Sequence, residues 1–149
     1  MDRSNVALNK PATQTSSYET ATASKAVDGN TDGIYNNGSI THTILTPNNW
    51  WQVDLLESFS ISDITLFNRT DCCTERLSNF YVFVSDSDMT GRSFDSLKND
   101  STVWQYYQAA AVGASESIAV PGKIGRYVRV VLAGTEYLSL AEVEVAVNP

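Results

Sequence analysis

The sequence has only one histidine, and it carries ten basic residues against 17 acidic ones in a chain of 149 residues. A single histidine excludes a multi-histidine metal site, and the usual zinc-protease, hydrolase-elbow, Gly-x-Gly-x-x-Gly and Walker signatures are absent. The formal charge of -7 argues against nucleic acid and anionic lipid as partners. No stretch approaches the ~20 consecutive apolar residues of a membrane-spanning helix, so we expect no membrane insertion. These absences favour a binding domain over an enzyme.

Cysteine is also scarce, and the two cysteines, Cys72 and Cys73, are adjacent. No zinc or redox motif has this spacing, and such a pair cannot cross-link distant parts of the chain. The two interpretations are a pair of reduced core cysteines and a vicinal disulfide that presents two sulfur atoms as a flat apolar face. A nucleophile made from either cysteine and His42 is disfavoured, because the neighbouring sulfur would oxidise the thiolate. A carboxylate pair for glycoside hydrolysis stays open, since no two acids stand out.

The length and a hydrophobic content of 42% predict one domain with its own core, and the patterning predicts an all-β fold. Short segments rich in Val, Ile, Thr, Tyr and Phe alternate in polarity between turn residues, which is typical of strands. Trp104, Tyr106 and Tyr107 could form a binding stripe, but at least half of them are interpreted as core or edge residues of the sandwich. Residues 24–27 have the strongest helical signal, of about one turn. The predicted strands are residues 51–55, 61–67, 80–84, 117–120, 127–132 and 143–147.

The densest polar cluster is residues 68–76, directly after an apolar strand, which places it in the loop that leaves that strand. Arg69 and Arg76 offer only hydrogen-bond donors, which match the oxygen lone pairs of a hydroxyl-rich ligand, and Asp71 can hold an arginine in place. His42 would add one donor or acceptor. The cluster taken without the cysteine pair would equally fit a solvated turn with weak surface ion pairs.

The combination of His42, Arg69-Thr70-Asp71 and Arg76 with the Cys-Cys pair resembles the signature of the F-type lectins, or fucolectins. The resemblance runs nearly end to end, since the motifs at residues 5–10, 26–30, 49–55, 125–128 and 142–145 are also similar to this family. It implies an all-β, discoidin-like β-sandwich of the jelly-roll, galactose-binding-domain-like class, with about eight strands and short helical turns. Residues 1–149 would then form a single F-type lectin domain.

The resemblance implies a non-catalytic lectin that binds terminal α-L-fucose on glycans. The arginines and the histidine would bond ring and hydroxyl oxygens, the aspartate would orient the arginines, and a vicinal disulfide would pack on the C1–C2 edge. Two tyrosines are candidates for the pocket of the C6 methyl group. The implied sugar-binding residues are His42, Arg69, Asp71, Cys72, Cys73, Arg76, Tyr35 and Tyr18. We expect neither the histidine nor the second arginine to lie in the core.

A second motif, residues 28–33, matches the first half of an EF-hand calcium loop but has Ser39 where the loop needs a bidentate glutamate. Taken alone it would be a surface turn rich in Asp, Asn and Gly. The family resemblance implies instead a structural calcium ion (Ca2+) that ties this loop to the last strand. Its ligands would be the side chains of Asp28, Ser39 and Glu142 and the backbone carbonyls of Lys25, Asn30 and Ala141.

Two alternatives to a free-standing lectin stay open. One is a carbohydrate-binding module excised from a larger enzyme or toxin, and the other is a discoidin-like domain that adheres to protein or lipid surfaces. Useful avidity for fucosylated glycans would need a homo-oligomer or tandem domains. The N-terminus shows no signal peptide, so an extracellular or cell-surface role would imply a processed chain, an excised domain or a bacterial protein. The Asn-x-Ser/Thr sequons at Asn37, Asn68 and Asn99 are interpreted as unused.

Overall fold

Antiparallel β-strands are the main secondary structure of the computed structural model, which describes residues 2–149. The single α-helix within these residues, α1, has five residues, and no helix there is long and apolar enough to cross a membrane. Three short 3-10 turns complete the described structure, at Ala23–Ala26, Tyr35–Asn37 and Thr74–Arg76. The strands and helix in chain order are β1 Ala12–Gln14, β2 Thr46–Pro47, β3 Trp50–Phe67, β4 Phe80–Ser85, α1 Phe94–Lys98, β5 Trp104–Gln108, β6 Ser115–Leu132, β7 Thr135–Glu136 and β8 Glu142–Val147.

The two longest strands, β3 and β6, have 18 residues each and pair with one another in three stretches, the last two of which are separated by a register shift between Ile61 and Asp63. The register breaks between Asp54 and Phe59, where Leu56 adopts a left-handed backbone with φ of 69°. Before the break, β3 also pairs with β1, and the matching part of β6 pairs with β4, which in turn pairs with β5. After the break β3 pairs with β8. The same two strands therefore contribute to both halves of the fold.

The main core lies between these halves and follows a period of two, except at the register shift between Ile61 and Asp63. The shift makes Ile64 and Leu66 the buried residues, whereas the sequence pattern placed Asp63, Thr65 and Phe67 on the same face as Ile61. Trp51, Val53 and Leu55 are completely buried, as are Ile61, Ile64 and Leu66 after the register break. Residues of β4, β6 and β8 pack against them in the same cluster. Burying each such side chain contributes about 1.5–3 kcal/mol. The all-β prediction is confirmed, and the predicted strands 51–55 and 61–67 are two parts of one long strand, as are 117–120 and 127–132.

Loops at one end of the fold run side by side and form the surface that matters for function. The backbone of residues 41–43 lies between two other segments: Thr41 and Thr43 donate to the carbonyls of Leu140 and Leu138, at 2.9 and 3.0 Å. On the other side His42 donates to the carbonyl of Ala21 at 3.1 Å. Nearby, β2 and β7 form a separate two-stranded ribbon. Residues that are up to about 120 positions apart in the chain thus converge at this end.

Candidate functional site

A cleft of about 290 Å³ opens among these loops. Its walls come from four separate segments of the chain, around residues 18, 35–42, 69–76 and 137. Five of its six lining residues were expected from the sequence, and the sixth is a tyrosine that no sequence pattern singled out. The lining residues are Tyr18, Tyr35, His42, Arg69, Arg76 and Tyr137.

His42 lies at the base of the cleft with only 6% of its surface exposed. Its Nδ1 is 2.7 Å from the carbonyl oxygen of Thr43, and because a carbonyl can only accept, Nδ1 carries the proton. Burial, together with the positive charges of Arg69 and Arg76, lowers the pKa of His42 from its usual 6.5. The imidazole is therefore neutral at pH 7, and its Nε2 offers a lone pair to a hydroxyl group.

Three tyrosine rings surround this imidazole. The ring centroids of Tyr18, Tyr35 and Tyr137 lie 5.2, 5.5 and 5.1 Å from that of His42, in tilted or edge-on arrangements. The expectation that His42 lies outside the core was wrong in this respect, since the ring is packed on three sides. The cause is local: the backbone of residue 42 is hydrogen-bonded on both flanks, which draws its side chain into the loop cluster.

Asp71 holds Arg69 but does not orient both arginines as expected, because the carboxylate that faces Arg76 is that of Glu136. The Nε and Nη2 atoms of Arg69 donate to the two carboxylate oxygens of Asp71 at 2.7 and 3.3 Å, and the guanidinium carbon lies 5.0 Å from the ring centroid of Tyr35. The arginine holds the pKa of the Asp71 carboxyl below its usual value, so this partner stays ionised. These bonds leave Nη1 of Arg69 as the guanidinium nitrogen that can donate to a ligand.

Arg76 approaches the cleft from the other side. Its Nε is 3.9 Å from a carboxylate oxygen of Glu136, and its guanidinium carbon lies 4.8 Å from the ring centroid of Tyr137. Tyr137 follows β7 in the chain, and its place in the site depends on the pairing of β7 with β2. No local pattern in the sequence marks this residue, which is why sequence reasoning missed it.

Cys72 and Cys73 form a disulfide bond, the second of the two interpretations that the sequence left open. Cys73 has a left-handed backbone with φ of 65°, and its carbonyl oxygen accepts a hydrogen bond of 3.0 Å from the amide of Arg76. The disulfide therefore sits at the start of the 3-10 turn that presents Arg76. Cys72 is exposed and Cys73 is half-buried, so the pair is accessible beside the cleft.

The loop that carries the two arginines is anchored at its start by Asn68, which is 2% exposed. Its amide nitrogen donates to the carbonyls of Thr74 and Val112, at 3.0 and 2.9 Å, and its oxygen accepts from the amide of Arg69. A second anchor is Gly33, whose carbonyl accepts from the amide of Thr70 at 2.8 Å. A Cβ at residue 33 would lie only 2.6 Å from the Thr70 hydroxyl, so the close approach requires glycine.

The cleft thus combines cationic donors, one imidazole acceptor and aromatic faces. Such a set can bind several hydroxyl oxygens of one small ligand, donate to some and accept from another, and pack against its C–H groups. The cysteine nucleophile that the sequence analysis disfavoured is not available in the cleft, because the two cysteine sulfurs are bonded to each other. The arrangement is suited to recognition of a hydroxyl-rich ligand.

Of the residues expected to bind calcium, Asp28 and Glu142 lie side by side. Glu142 is fully buried; its Oε2 accepts from the amide of Gly29 at 2.7 Å, and its Oε1 has no hydrogen-bond partner within residues 2–149. Burial, with the nearby Asp28 carboxylate as a further cause, raises the pKa of Glu142 to about 8. An unpartnered buried carboxylate oxygen beside a second carboxylate is an arrangement that a cation would relieve.

The remaining expected calcium ligands are placed as follows. Ser39 is buried, and its hydroxyl donates to the carbonyl of Asp32 at 2.5 Å. Lys25 belongs to the 3-10 turn Ala23–Ala26, Asn30 lies in the exposed loop, and Ala141 precedes β8. Across residues 2–149, no three His, Cys, Asp or Glu side chains converge to hold a metal, so a cation here would depend on backbone carbonyl oxygens. Oxygen-only ligands fit calcium.

Comparison with known proteins identifies the class of this fold and site. Residues 25–130 match the family described as NedA-like, galactose-binding domain. The chain is 37% identical to Fucolectin-1 of Anguilla japonica over 147 residues, which is 95% of this chain and 79% of that protein. Among solved structures, it matches the Streptococcus pneumoniae fucose-binding module SpX-3 with a TM-score of 0.85 and 35% identity, over 98% and 99% of the two chains. The lectin domain of Lectinolysin complexed with Lewis B antigen matches with a TM-score of 0.83 and 34% identity, over 100% of both.

These findings define the protein as a galactose-binding-domain-like β-sandwich, which confirms the fold class expected from the sequence. More narrowly, the chain belongs to the fucolectin family. Its relatives are lectins and fucose-binding modules, which are not catalysts, and the expectation that the protein is not an enzyme is confirmed by them.

Proposed function

We propose that this protein is a lectin domain that binds terminal α-L-fucose on glycans and contains a structural calcium ion. The observation that carries the proposal is the geometry around His42: one neutral acceptor lines the same cleft as two arginines, Arg69 with its Nη1 free to donate and Arg76 with both terminal nitrogens free. A sugar hydroxyl can donate to Nε2 of His42 while its oxygen accepts from an arginine, so one hydroxyl satisfies both partners.

Support for fucose over other sugars comes from the family. The relatives include a protein named for fucose binding and a lectin domain that was solved with Lewis B antigen. In the proposed complex the rings of Tyr18 and Tyr35 provide an apolar wall for the C6 methyl group, and the Cys72–Cys73 sulfurs cover an edge of the sugar ring. The partners of the protein are fucosylated glycans outside the cell or on its surface.

The proposed calcium ion has a structural role. It would bridge the Asp28 loop to Glu142 at the start of β8 and so neutralise the fully buried Glu142 carboxylate together with the exposed Asp28 carboxylate beside it. The other proposed ligands are the Ser39 hydroxyl and the carbonyls of Lys25, Asn30 and Ala141. Because Gly33 of the same loop packs on Thr70, an ordered loop also supports the segment that carries the arginines.

A single cleft of this kind binds weakly, because sugar hydroxyls exchange water for protein hydrogen bonds at near parity. We expect dissociation constants on the order of 1 µM to 1 mM for the monosaccharide. Stronger attachment to a glycan-bearing surface would come from several copies, in a homo-oligomer or in tandem domains.

The test is calorimetric titration with L-fucose, L-galactose and D-galactose in calcium-containing buffer. We expect saturable binding of L-fucose at one site per chain, weaker binding of L-galactose, which lacks the methyl group, and no binding of D-galactose. Arg76→Ala should abolish the heat. The matched control is Arg92→Ala, since Arg92 pairs with Asp100 on another part of the surface. Absence of L-fucose binding at tens of millimolar sugar would refute the proposal.

A further inference from the structure

The Arg76 side chain is held by two residues that lie far from it in the chain. Its Nε faces the Glu136 carboxylate at 3.9 Å, and its guanidinium plane lies over the Tyr137 ring at 4.8 Å. Glu136 Oε1, the same oxygen that faces Arg76, also accepts a hydrogen bond of 2.9 Å from the amide of Tyr137. The carboxylate and the ring are therefore fixed relative to one another before they meet the arginine.

The surroundings of Arg76 are similar to those of Arg69, although they are formed by different residues. Around Arg69 the carboxylate is Asp71 and the ring is Tyr35, whose centroid lies 5.0 Å from the guanidinium carbon. Asp71 and Arg69 are two residues apart in one loop, whereas the residues around Arg76 come from another part of the fold. Each arginine of the cleft thus has one carboxylate and one tyrosine as its supports.

The support around Arg76 is built into the β2–β7 ribbon. Glu136 is the last residue of β7 and pairs with Thr46 of β2. Its backbone carbonyl accepts a hydrogen bond of 2.7 Å from the side-chain Nδ2 of Asn49, a residue that is completely buried. The ribbon is therefore attached to the folded body on one side and presents its carboxylate and the following ring to the cleft on the other.

Support of this kind matters because a free arginine side chain loses rotamer entropy when it binds a ligand. Nε of Arg76 faces Glu136 and the guanidinium lies over Tyr137, while neither terminal nitrogen of Arg76 makes a hydrogen bond within residues 2–149, so both remain available to a sugar oxygen. Tyr137 also contacts His42 at 5.1 Å between ring centroids, so it fixes the arginine and the imidazole relative to each other.

We infer that Glu136 and Tyr137 are positioning residues for Arg76, so that the β2–β7 ribbon sets the geometry of the sugar site. The inference rests on the proposed function for its binding readout. Both residues act through the arginine: the ring supplies a stacking surface for the guanidinium, and the carboxylate supplies a charge that orients Nε.

The test measures L-fucose affinity and, in the sugar-free protein, the order of the Arg76 Nε–H group by 15N NMR relaxation. Tyr137→Leu keeps apolar bulk but removes the aromatic face; we expect ~5-fold weaker binding and a more mobile Nε–H, from a cation–π contact of about 1 kcal/mol. Tyr137→Phe should restore most of the affinity. Glu136→Gln should weaken binding by ~2-fold, since this pair is long and partly exposed. Tyr107→Leu, on β5, is the matched control.

The second arm is a double-mutant cycle with Arg76→Lys, because lysine lacks the planar group that stacks on the ring. Tyr137→Leu should then cost less than ~2-fold further. An equal loss in both backgrounds would overturn the inference, since Tyr137 would then act on the sugar directly. Unchanged affinity and unchanged Arg76 mobility in Tyr137→Leu would also overturn it. If the unmodified protein fails to bind L-fucose, the proposed function is refuted, and the relaxation data on the free protein alone decide the positioning role.

Discussion

Protonation of His42 should weaken fucose binding, and the structure gives the direction of the effect. Nδ1 of His42 donates to the Thr43 carbonyl, so only Nε2 can take up a proton. A sugar hydroxyl that donates to neutral Nε2 of His42 and accepts from an arginine has both its hydrogen and its oxygen in hydrogen bonds. Once Nε2 carries a proton, that hydroxyl hydrogen has no acceptor, and a third positive charge faces Arg69 and Arg76.

The size of the effect follows from the unsatisfied hydroxyl. A buried polar group without its partner costs roughly 1–3 kcal/mol, which corresponds to a total loss of affinity of roughly 5- to 150-fold. The pKa of His42 lies below 6.5, because burial and the two arginines oppose the charged form. Sugar binding favours the neutral form further and lowers the pKa in the complex. Affinity is thus constant above pH 6.5 and falls, by at most tenfold per pH unit, as pH decreases below the pKa of the free protein.

The assay is L-fucose titration by calorimetry between pH 8 and pH 4.5, with near-ultraviolet circular dichroism at each pH to verify that the protein stays folded. Among the other charged groups near the imidazole, Asp71 has a pKa lowered by Arg69 and stays ionised through most of this range. Glu19, which accepts a hydrogen bond from the Tyr35 hydroxyl, is the carboxylate to control, by Glu19→Gln. His42→Asn should bind more weakly and without this pH dependence. Affinity that stays flat, or rises, in acid in the folded protein would refute the reasoning.

Three further predictions concern the supports of the cleft. In differential scanning calorimetry, calcium should raise the melting temperature of the protein and a chelator should lower it. Glu142→Gln should remove most of this difference. Equal calcium-dependent shifts of the melting temperature in both proteins would exclude Glu142 as a ligand. Reduction of the Cys72–Cys73 bond should weaken fucose binding several-fold with little change in melting temperature, because the bond closes almost no loop of the unfolded chain. Gly33→Ala should reduce both stability, by about 1–3 kcal/mol in urea unfolding, and affinity, because its Cβ would lie 2.6 Å from the facing threonine hydroxyl. Gly113→Ala, where nothing lies within 4 Å, should change neither.

The fold could be predicted from the sequence to the extent that local periodicity determines it. The alternation at Trp51, Val53 and Leu55 identifies a strand and its buried face, and the structure buries all three completely. Periodicity did not show that this strand continues to Phe67, because the register break around Leu56 interrupts the pattern with exposed residues. Short elements such as β1 were not predicted, since three residues carry too little signal.

From local patterns, the candidate site could likewise be predicted only where its residues are close together in the sequence. Arg69, Asp71 and the cysteine pair share one loop, so their association is visible in the sequence, and the ion pair was predicted correctly. Tyr137 was not predicted, because it reaches the cleft only through the pairing of β7 with β2, a contact between residues about 90 positions apart. The packing of His42 among three rings was missed for the same reason: the segments that enclose it are joined by backbone hydrogen bonds with no signature in the sequence.

The burial of Asn68 bears on how the protein should be produced. Asn68 opens an Asn-Arg-Thr sequon, yet its side-chain nitrogen makes two hydrogen bonds inside the fold, and the residue is buried. A host that attaches glycans to the chain during translocation, before folding, would place one on the nitrogen that must later be buried. Yield in such a host should therefore fall with the occupancy of this sequon, and a host without N-glycosylation, combined with an oxidising compartment for the cysteine pair, is the better source of active lectin.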